Sequence, residues 1–307
     1  MRTNPVYKRE ITVSARSFRL ALVIMVFNGI LALIALLNMY SVVERVKMTA
    51  DIQYSSFLNL YVFVAVVEFI MLMFIMPALT AGSISGERER QTLDLMLTTT
   101  MKPSDIILGK LASSFSTMFI MIVSSFPLLA VSFVYGGITL SDVFLLLLCY
   151  VAVALMCGSM GICFSSIFKR STIATAVTYG VLIVVAAGTY AANTFALSIS
   201  QMNINNIYSN TMGGMMETAS SGGFLYLLLI NPVATFYMMI SGQTGSNQMA
   251  NSFNRWFGPH PENFVTKYWV VISLALQLLL ALVFIMIAIY AVDRGGVSRR
   301  KTEKKVK

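Results

Sequence analysis

Ionisable side chains are scarce in this chain, and the few in unusual places carry most of its chemical information. Glu68 lies in the middle of an otherwise charge-free apolar run, 57–80. If that run crosses a bilayer, a carboxyl at such depth is costly. It then marks, by default, a cation site, a proton relay or a contact for a cationic substrate. The same group can also serve structurally, hydrogen-bonded to a neighbouring helix or across a subunit interface. No second charge in any apolar run partners it, and this favours the structural role. The other unusual place is residues 82–110, GSISGERERQTLDLMLTTTMKPSDIILGK, a charged, helix-forming stretch wedged between two long apolar runs.

No catalytic constellation accompanies these groups. His260, the sole histidine, stands between Gly258-Pro259 and Pro261 and reads as a turn residue. No Ser-His-Asp set and no pair of intramembrane carboxylates can be assembled. Cys149, Cys157 and Cys163 share one apolar run, with no His or carboxylate at metal-ligand spacing. They read as small buried hydrophobes rather than a metal site or disulfide framework. Enzymatic chemistry within this chain is not expected.

The elements that must position Glu68 and the charged stretch follow from composition. The chain has 307 residues, 57% of them hydrophobic and 11% charged, with a mean hydropathy of +0.77. Soluble domains carry roughly 25% charged residues, so a water-soluble globule is excluded. A net charge of +9 could suggest nucleic acid, but the cations gather in short segments flanking the apolar runs. That distribution belongs to membrane topology and lipid headgroups.

Six runs supply the ~20 apolar residues needed to cross a ~30 Å hydrocarbon core: about 20–40, 57–80, 111–135, 143–168, 173–197 and 268–292. They are continuously apolar rather than alternating, so they predict helices, and the fold class is an all-α integral membrane bundle. The first run is too long for a signal-peptide core, and no cleavable signal is expected. Lys and Arg then set the orientation. Residues 1–19, 82–110, 169–170 and 293–307 together hold eighteen of them, against four in the alternate connections. Both termini and the 82–110 segment are therefore expected in the cytoplasm.

Three further segments are patterned. Residues 224–240, FLYLLLINPVATFYMMI, are apolar but carry Asn231-Pro232 in the middle. A full crossing there would place the seven-cation tail outside, so the segment reads as a re-entrant hairpin broken at Asn231-Pro232. It lies within a polar outer region, 198–267. At the N-terminus, Tyr7, Ile11, Ala15 and Phe18 fall on one helical face and Lys8, Arg9, Thr12, Arg16 and Arg19 on the other. Residues 1–19 thus predict an interfacial helix. The tail, 293–307, reads as a basic cytoplasmic anchor drawn to lipid.

Within 82–110, Ser83 or Ser85 can cap a helix with Glu87 and Glu89 in its first turn. Arg90 is spaced to meet Glu87 or Asp94 on the helix surface, and Leu93, Met96 and Leu97 form an apolar face. After Thr98-Thr99-Thr100, Pro103 opens another helix with Asp105 in its first turn, and Lys110 snorkels at the start of the third span. The product is a helix–turn–helix at the cytoplasmic surface.

This segment resembles the signature of ABC type-2 exporter permeases, the membrane subunits of type V ABC transporters. Their pattern runs roughly Gly-Glu-x-Glu-x-Gly-Thr-Leu-Glu-x-Leu-Leu, a spacer, then Ser or Pro, Ile, Gly-Lys. Gly86, Glu87, Glu89, Thr92, Leu93, Asp94, Leu95, Leu97, Ser104, Ile107, Gly109 and Lys110 occupy matching positions. Gln91 replaces the usual Gly, which is expected to stiffen the helix there, and Met101 stands where Pro is common. The family layout also has an N-terminal interfacial helix, six spans, a coupling helix between spans two and three and an outer re-entrant hairpin before span six.

The resemblance implies a mechanism. Gly86, Glu87, Arg88, Glu89, Arg90, Thr92, Leu93, Asp94 and Leu97 are then the ATPase-coupling residues. The partners are two cytosolic ATPases that bind ATP and Mg, plus a second permease copy or a related permease, in a bacterial plasma membrane. No P-loop occurs in the chain itself, because Gly109-Lys110 lacks the upstream glycine and is followed by Leu. A secondary transporter or channel using Glu68 and an ion gradient is the first alternative. The lack of an internal repeat argues against it. A non-transporting membrane scaffold is the second.

Overall fold

The computed structural model describes residues 4–49, 55–98, 101–135, 138–210, 218–244, 254, 256–259 and 263–306. His260 and the side chains of the seven tail cations lie outside the described set. Every regular element among the described residues is helical. Among the described residues, six helical stretches are long and apolar enough to cross a membrane: Leu20–Ser41, Leu58–Glu89, Pro103–Leu128, Leu140–Ile167, Ser171–Asn205 and Trp269–Asp293. They coincide with the six expected runs. The third starts earlier than expected, because Pro103–Tyr135 is one unbroken helix.

The chain divides into two units, Met1–Tyr179 with Leu280–Lys307, and Gly180–Leu279. The first opens with α1 (Pro5–Ala15), capped by Asn4, whose Oδ1 accepts from the Val6 amide. A break at Arg16-Ser17 separates it from α2 (Phe18–Thr49). Then come α3 (Ser55–Thr80), α4 (Ser85–Glu89), α5 (Thr92–Thr98), α6 (Pro103–Tyr135), α7 (Leu140–Ile167) and the start of α8 (Ser171–Ile183).

Helix α1 turns one face onto the bundle. Val6 is its buried residue, with Tyr7, Glu10 and Ile11 half-buried, while Ala15 and Phe18 are exposed. The helix lies on α6 and meets it with polar groups. Tyr7 Oη pairs with Ser116 Oγ at 3.1 Å, and Asn4 Nδ2 donates to the Asp105 carbonyl at 2.6 Å.

Helix α7 is the core of this unit, buried over most of Cys149–Ser166. Lipid gives apolar helices no hydrophobic reason to associate, so close backbone packing on small residues must do so. Gly158 and Gly161 provide it. A Cβ at Gly158 would stand 2.6 Å from Met76 Cε, and one at Gly161 would overlap Thr80 Oγ1. The last turn of α3 is thereby set directly on α7, which fixes where the charged segment begins.

In the second unit a π-helical turn, Val184–Gly188, joins α8 to α9 (Thr189–Asn210). A 3-10 helix, Gly222–Leu229, and α10 (Pro232–Gln243) follow, bent by 92° at Ile230-Asn231. Next are α11 (Phe264–Lys267) and α12 (Trp269–Val306), whose backbone stays helical into the basic stretch. Leu225, Leu228, Leu229, Met238, Phe257 and Trp269 form a shared apolar core. Gly258, with φ of +83°, lies so close to Ala219 O that no Cβ fits.

The bend is built from Asn231 and Pro232. Pro232 sits at the first helical position of α10, where its missing N–H costs nothing. Asn231 Oδ1 caps the helix by accepting from the Val233 and Ala234 amides. Its Nδ2 donates at 2.8 Å to both Ala186 O, in the π turn, and Thr189 Oγ1. Side chains add bonds around the bend: Ser273 Oγ donates to Leu229 O, Thr235 Oγ1 to Asn231 O, which also takes the Thr235 amide, and Asn193 Nδ2 to Phe224 O. Gln277 Nε2 then bonds Thr235 and Ser273. Broken backbone is tolerable in an apolar setting only with such replacement partners.

Candidate functional site

The short helix α4 has no side-chain cap of its own. Ser83 Oγ donates back to Thr80 O instead of capping. The orphan amides are met from 80 residues away: Ser165 Oγ of α7 accepts from the Ile84 and Ser85 amides at 2.9 and 3.0 Å. Ser85 Oγ pairs with the same hydroxyl. The start of α4 is therefore pinned to the core helix, and the capping role expected of Ser83 or Ser85 falls to Ser165.

The three charged residues that follow each grip a different helix. Glu87 Oε1 lies 2.8 Å from Lys110 Nζ of α6, and that ammonium also reaches Glu10 Oε1 of α1 at 3.3 Å. Arg88 donates from its two terminal nitrogens to Ser166 O and Phe168 O, the open carbonyls at the end of α7. Glu89 accepts from the Ser171 amide at 2.8 Å and from Ser171 Oγ at 2.9 Å, at the start of α8. A cation at a helix C-terminus and an anion at an N-terminus are each the favoured sign.

Two expectations fail here. Lys110 does not snorkel: its side chain is only 7% exposed and lies between two carboxylates. Burying an ammonium is costly without such paired carboxylates. Nor does Glu87 pair with Arg90, or Arg90 sit one turn from Asp94 on a continuous helix. Arg90 is the C-cap of α4, and Gln91 follows in the left-handed region with φ of +60°. The helix expected to be stiffened by Gln91 is broken at it. Gly109, next to Lys110, has its own reason: a Cβ there would lie 2.9 Å from Val6 Cβ, so the glycine admits α1. At Gly86 a Cβ would meet nothing within 4 Å, and packing gives no reason for glycine.

Beyond the break, Thr92 Oγ1 donates back to Glu87 O at 3.2 Å, tying α5 to α4. Leu93 is buried and Leu97 half-buried, holding α5 down, while the Asp94 side chain lies outside the described set. Arg90, Gln91, Thr92 and Leu95, the last 70% exposed, face outward. The nominated residues thus separate into a set bonded to neighbouring helices, Glu87, Arg88 and the exposed Glu89, a set packed inward, Leu93 and Leu97, and an outward pair, Arg90 and Thr92. Glu10, Ser165 and Ser171 were not anticipated. Their partners are some 80 to 100 positions distant, and no local pattern announces them.

Glu68 stands apart from this site. It is 1% exposed, and neither carboxyl oxygen has a hydrogen-bond partner within normal range. The nearby Tyr150 hydroxyl donates to Ala65 O at 2.8 Å and Ser125 Oγ to Ile122 O at 2.7 Å. The three cysteines are buried and free.

The family model described as "ABC-2 family transporter protein" matches residues 30–290. No curated protein sequence matches the chain.

Proposed function

The chain belongs to the ABC-2 family of transporter proteins, and from that premise we propose that it is the permease subunit of an ATP-driven exporter whose α4–α5 segment receives motion from a separate ATPase. One observation carries the reading. Consecutive residues Glu87, Arg88 and Glu89 bond to α6, α7 and α8 respectively, so a displacement of α4 is felt by three helices at once. The outward residues Arg90, Gln91, Thr92 and Leu95 form the surface an ATPase would meet, and Glu87, Arg88 and Glu89 transmit the push.

In this reading two ATPase subunits bind ATP and Mg, and a second copy of this chain or a related permease completes the membrane part. Both termini and the α4–α5 segment face the cytoplasm of a bacterial cell, as the eighteen-to-four distribution of cations favours. The bent pair at Asn231 is re-entrant. Its arms of 8 and 12 residues reach only ~16 and ~18 Å, short of a ~30 Å hydrocarbon core.

Affinity purification of the tagged protein in mild detergent tests this. A stoichiometric P-loop ATPase is expected, lost on Leu95→Asp combined with Arg90→Glu. Glu87→Gln with Glu89→Gln should retain the ATPase and cut transport per ATP hydrolysed. An intact preparation with no ATPase would overturn the proposal.

A further inference from the structure

The N-terminal helix α1 has two faces with different business. One sits on α6: Val6 fits against Gly109, Asn4 holds Asp105 O and Tyr7 meets Ser116. The same face sends Glu10 to Lys110. The other face exposes Lys8, Arg9, Thr12 and Arg16, with Val13 64% exposed and Phe18, just beyond the break, 79% exposed. Cations beside protruding apolar side chains suit a bilayer surface bearing anionic headgroups. Phe18 begins a membrane-crossing helix, which keeps this face near that surface.

A single ammonium joins the two ends of this arrangement. Lys110, its side chain only 7% exposed, is shared between Glu10 of α1 and Glu87 of α4. Two carboxylates compete for one cation, and Glu87 Oε2 is buried without a hydrogen-bond partner. Whatever steadies or loosens α1 therefore alters how Lys110 holds α4.

We propose that the basic face of α1 binds anionic lipid headgroups and that this binding is relayed through Glu10 and Lys110 to α4, making the order of the 85–98 segment depend on membrane charge. The relay would tune the coupling segment proposed above. It is measurable on α4 itself, without any ATPase. Anionic lipid draws down Lys8, Arg9 and Arg16, fixes α1 on α6 and keeps Glu10 on Lys110. In a neutral bilayer α1 is looser, the clamp opens more often and α4 frays.

Backbone hydrogen–deuterium exchange of the full chain in nanodiscs tests the relay, comparing purely zwitterionic phosphatidylcholine with a mixture containing phosphatidylglycerol. Residues 5–15 and 85–98 should both exchange about fivefold more slowly with the anionic lipid, the effect of roughly one well-placed cation. Replacing Lys8, Arg9 and Arg16 by Gln should abolish the difference in both segments. Glu10→Gln, at a half-exposed position that tolerates substitution, should leave it in 5–15 and remove it from 85–98. That separation is not expected of a purely structural salt bridge. Exchange in 5–15 indifferent to lipid charge overturns the proposal, and so does a lipid effect on 85–98 that survives Glu10→Gln. Loss of the exporter reading would leave either result standing.

Discussion

Glu87 and Lys110 meet at 2.8 Å across the junction of α4 and α6, with the ammonium almost wholly enclosed. This pair is the shortest ion pair among the described residues, and its location makes α4 part of the bundle rather than a loop resting on it. Removing one partner of a buried pair leaves the other charged and unpaired, a loss of roughly 3–5 kcal/mol. Lys110→Met should therefore lower thermal stability sharply in detergent, followed by fluorescence-detected gel filtration. Glu10→Gln, which leaves the Glu87 pair intact and sits half-exposed, should cost about 1 kcal/mol or less. Equal losses for the two variants would show that Glu87 is not the principal partner.

Gln91 offers a test with the opposite sign. A side chain in the left-handed region costs roughly 1–2 kcal/mol, and glycine relieves it. Gln91→Gly should raise the melting temperature, although in a helix interior the same change would lower it. Gln91→Val should lower it further than Gln91→Ala. A drop on Gln91→Gly would mean that the break between α4 and α5 is not where the structure has it.

Glu68 is expected to be dispensable for coupling. A buried carboxyl whose neighbouring hydroxyls, Tyr150 and Ser125, already donate to backbone carbonyls is a liability of about 1–3 kcal/mol that an isosteric apolar residue avoids. Glu68→Met should leave assembly intact and the protein at least as heat-resistant. Glu68→Gln should transport like the native protein at every pH of a series from 5.5 to 8.5 (values of the order used to titrate carboxyl and imidazole groups). A pH-dependent loss in Glu68→Gln would revive a proton-relay role for this group.

Asn231 combines a helix cap with two outgoing donors, and substitution can separate them. Asn231→Ala loses both functions, about 2–4 kcal/mol if a cap and a buried donor pair are each worth their usual amounts. Asn231→Asp keeps the cap acceptor but cannot donate to Ala186 O and Thr189 Oγ1. Both variants should loosen the π turn, seen as faster amide exchange over 184–190. Protection there unchanged by Asn231→Ala would show that the π turn does not depend on the bend.

Much of this architecture was legible in the sequence because its cause is one-dimensional. Long apolar runs needed no partner to be recognised, and Asn231-Pro232 breaks a helix wherever it stands. The site was legible only in outline. Glu87, Arg88 and Glu89 could be nominated from their order, but their partners Lys110, Ser166 and Ser171 stand on three other helices, of which α7 is set against α3 by Gly158 and Gly161. That α1 also leans on α6 through Val6 and Glu10 could not be read from its apolar stripe, because Gly109 and Lys110 lie about a hundred positions away.

One consequence of the α4 contacts concerns the order of two neighbouring letters. Arg88 meets the carbonyl end of one helix and Glu89 the amide end of the next. Exchanging them would conserve composition, net charge and helix propensity, yet would set each charge against a like partial charge. The pair works as a keyed plug that seats in one polarity only. Chain direction at the junction of α7 and α8 is thereby written into α4 as a two-residue charge sequence.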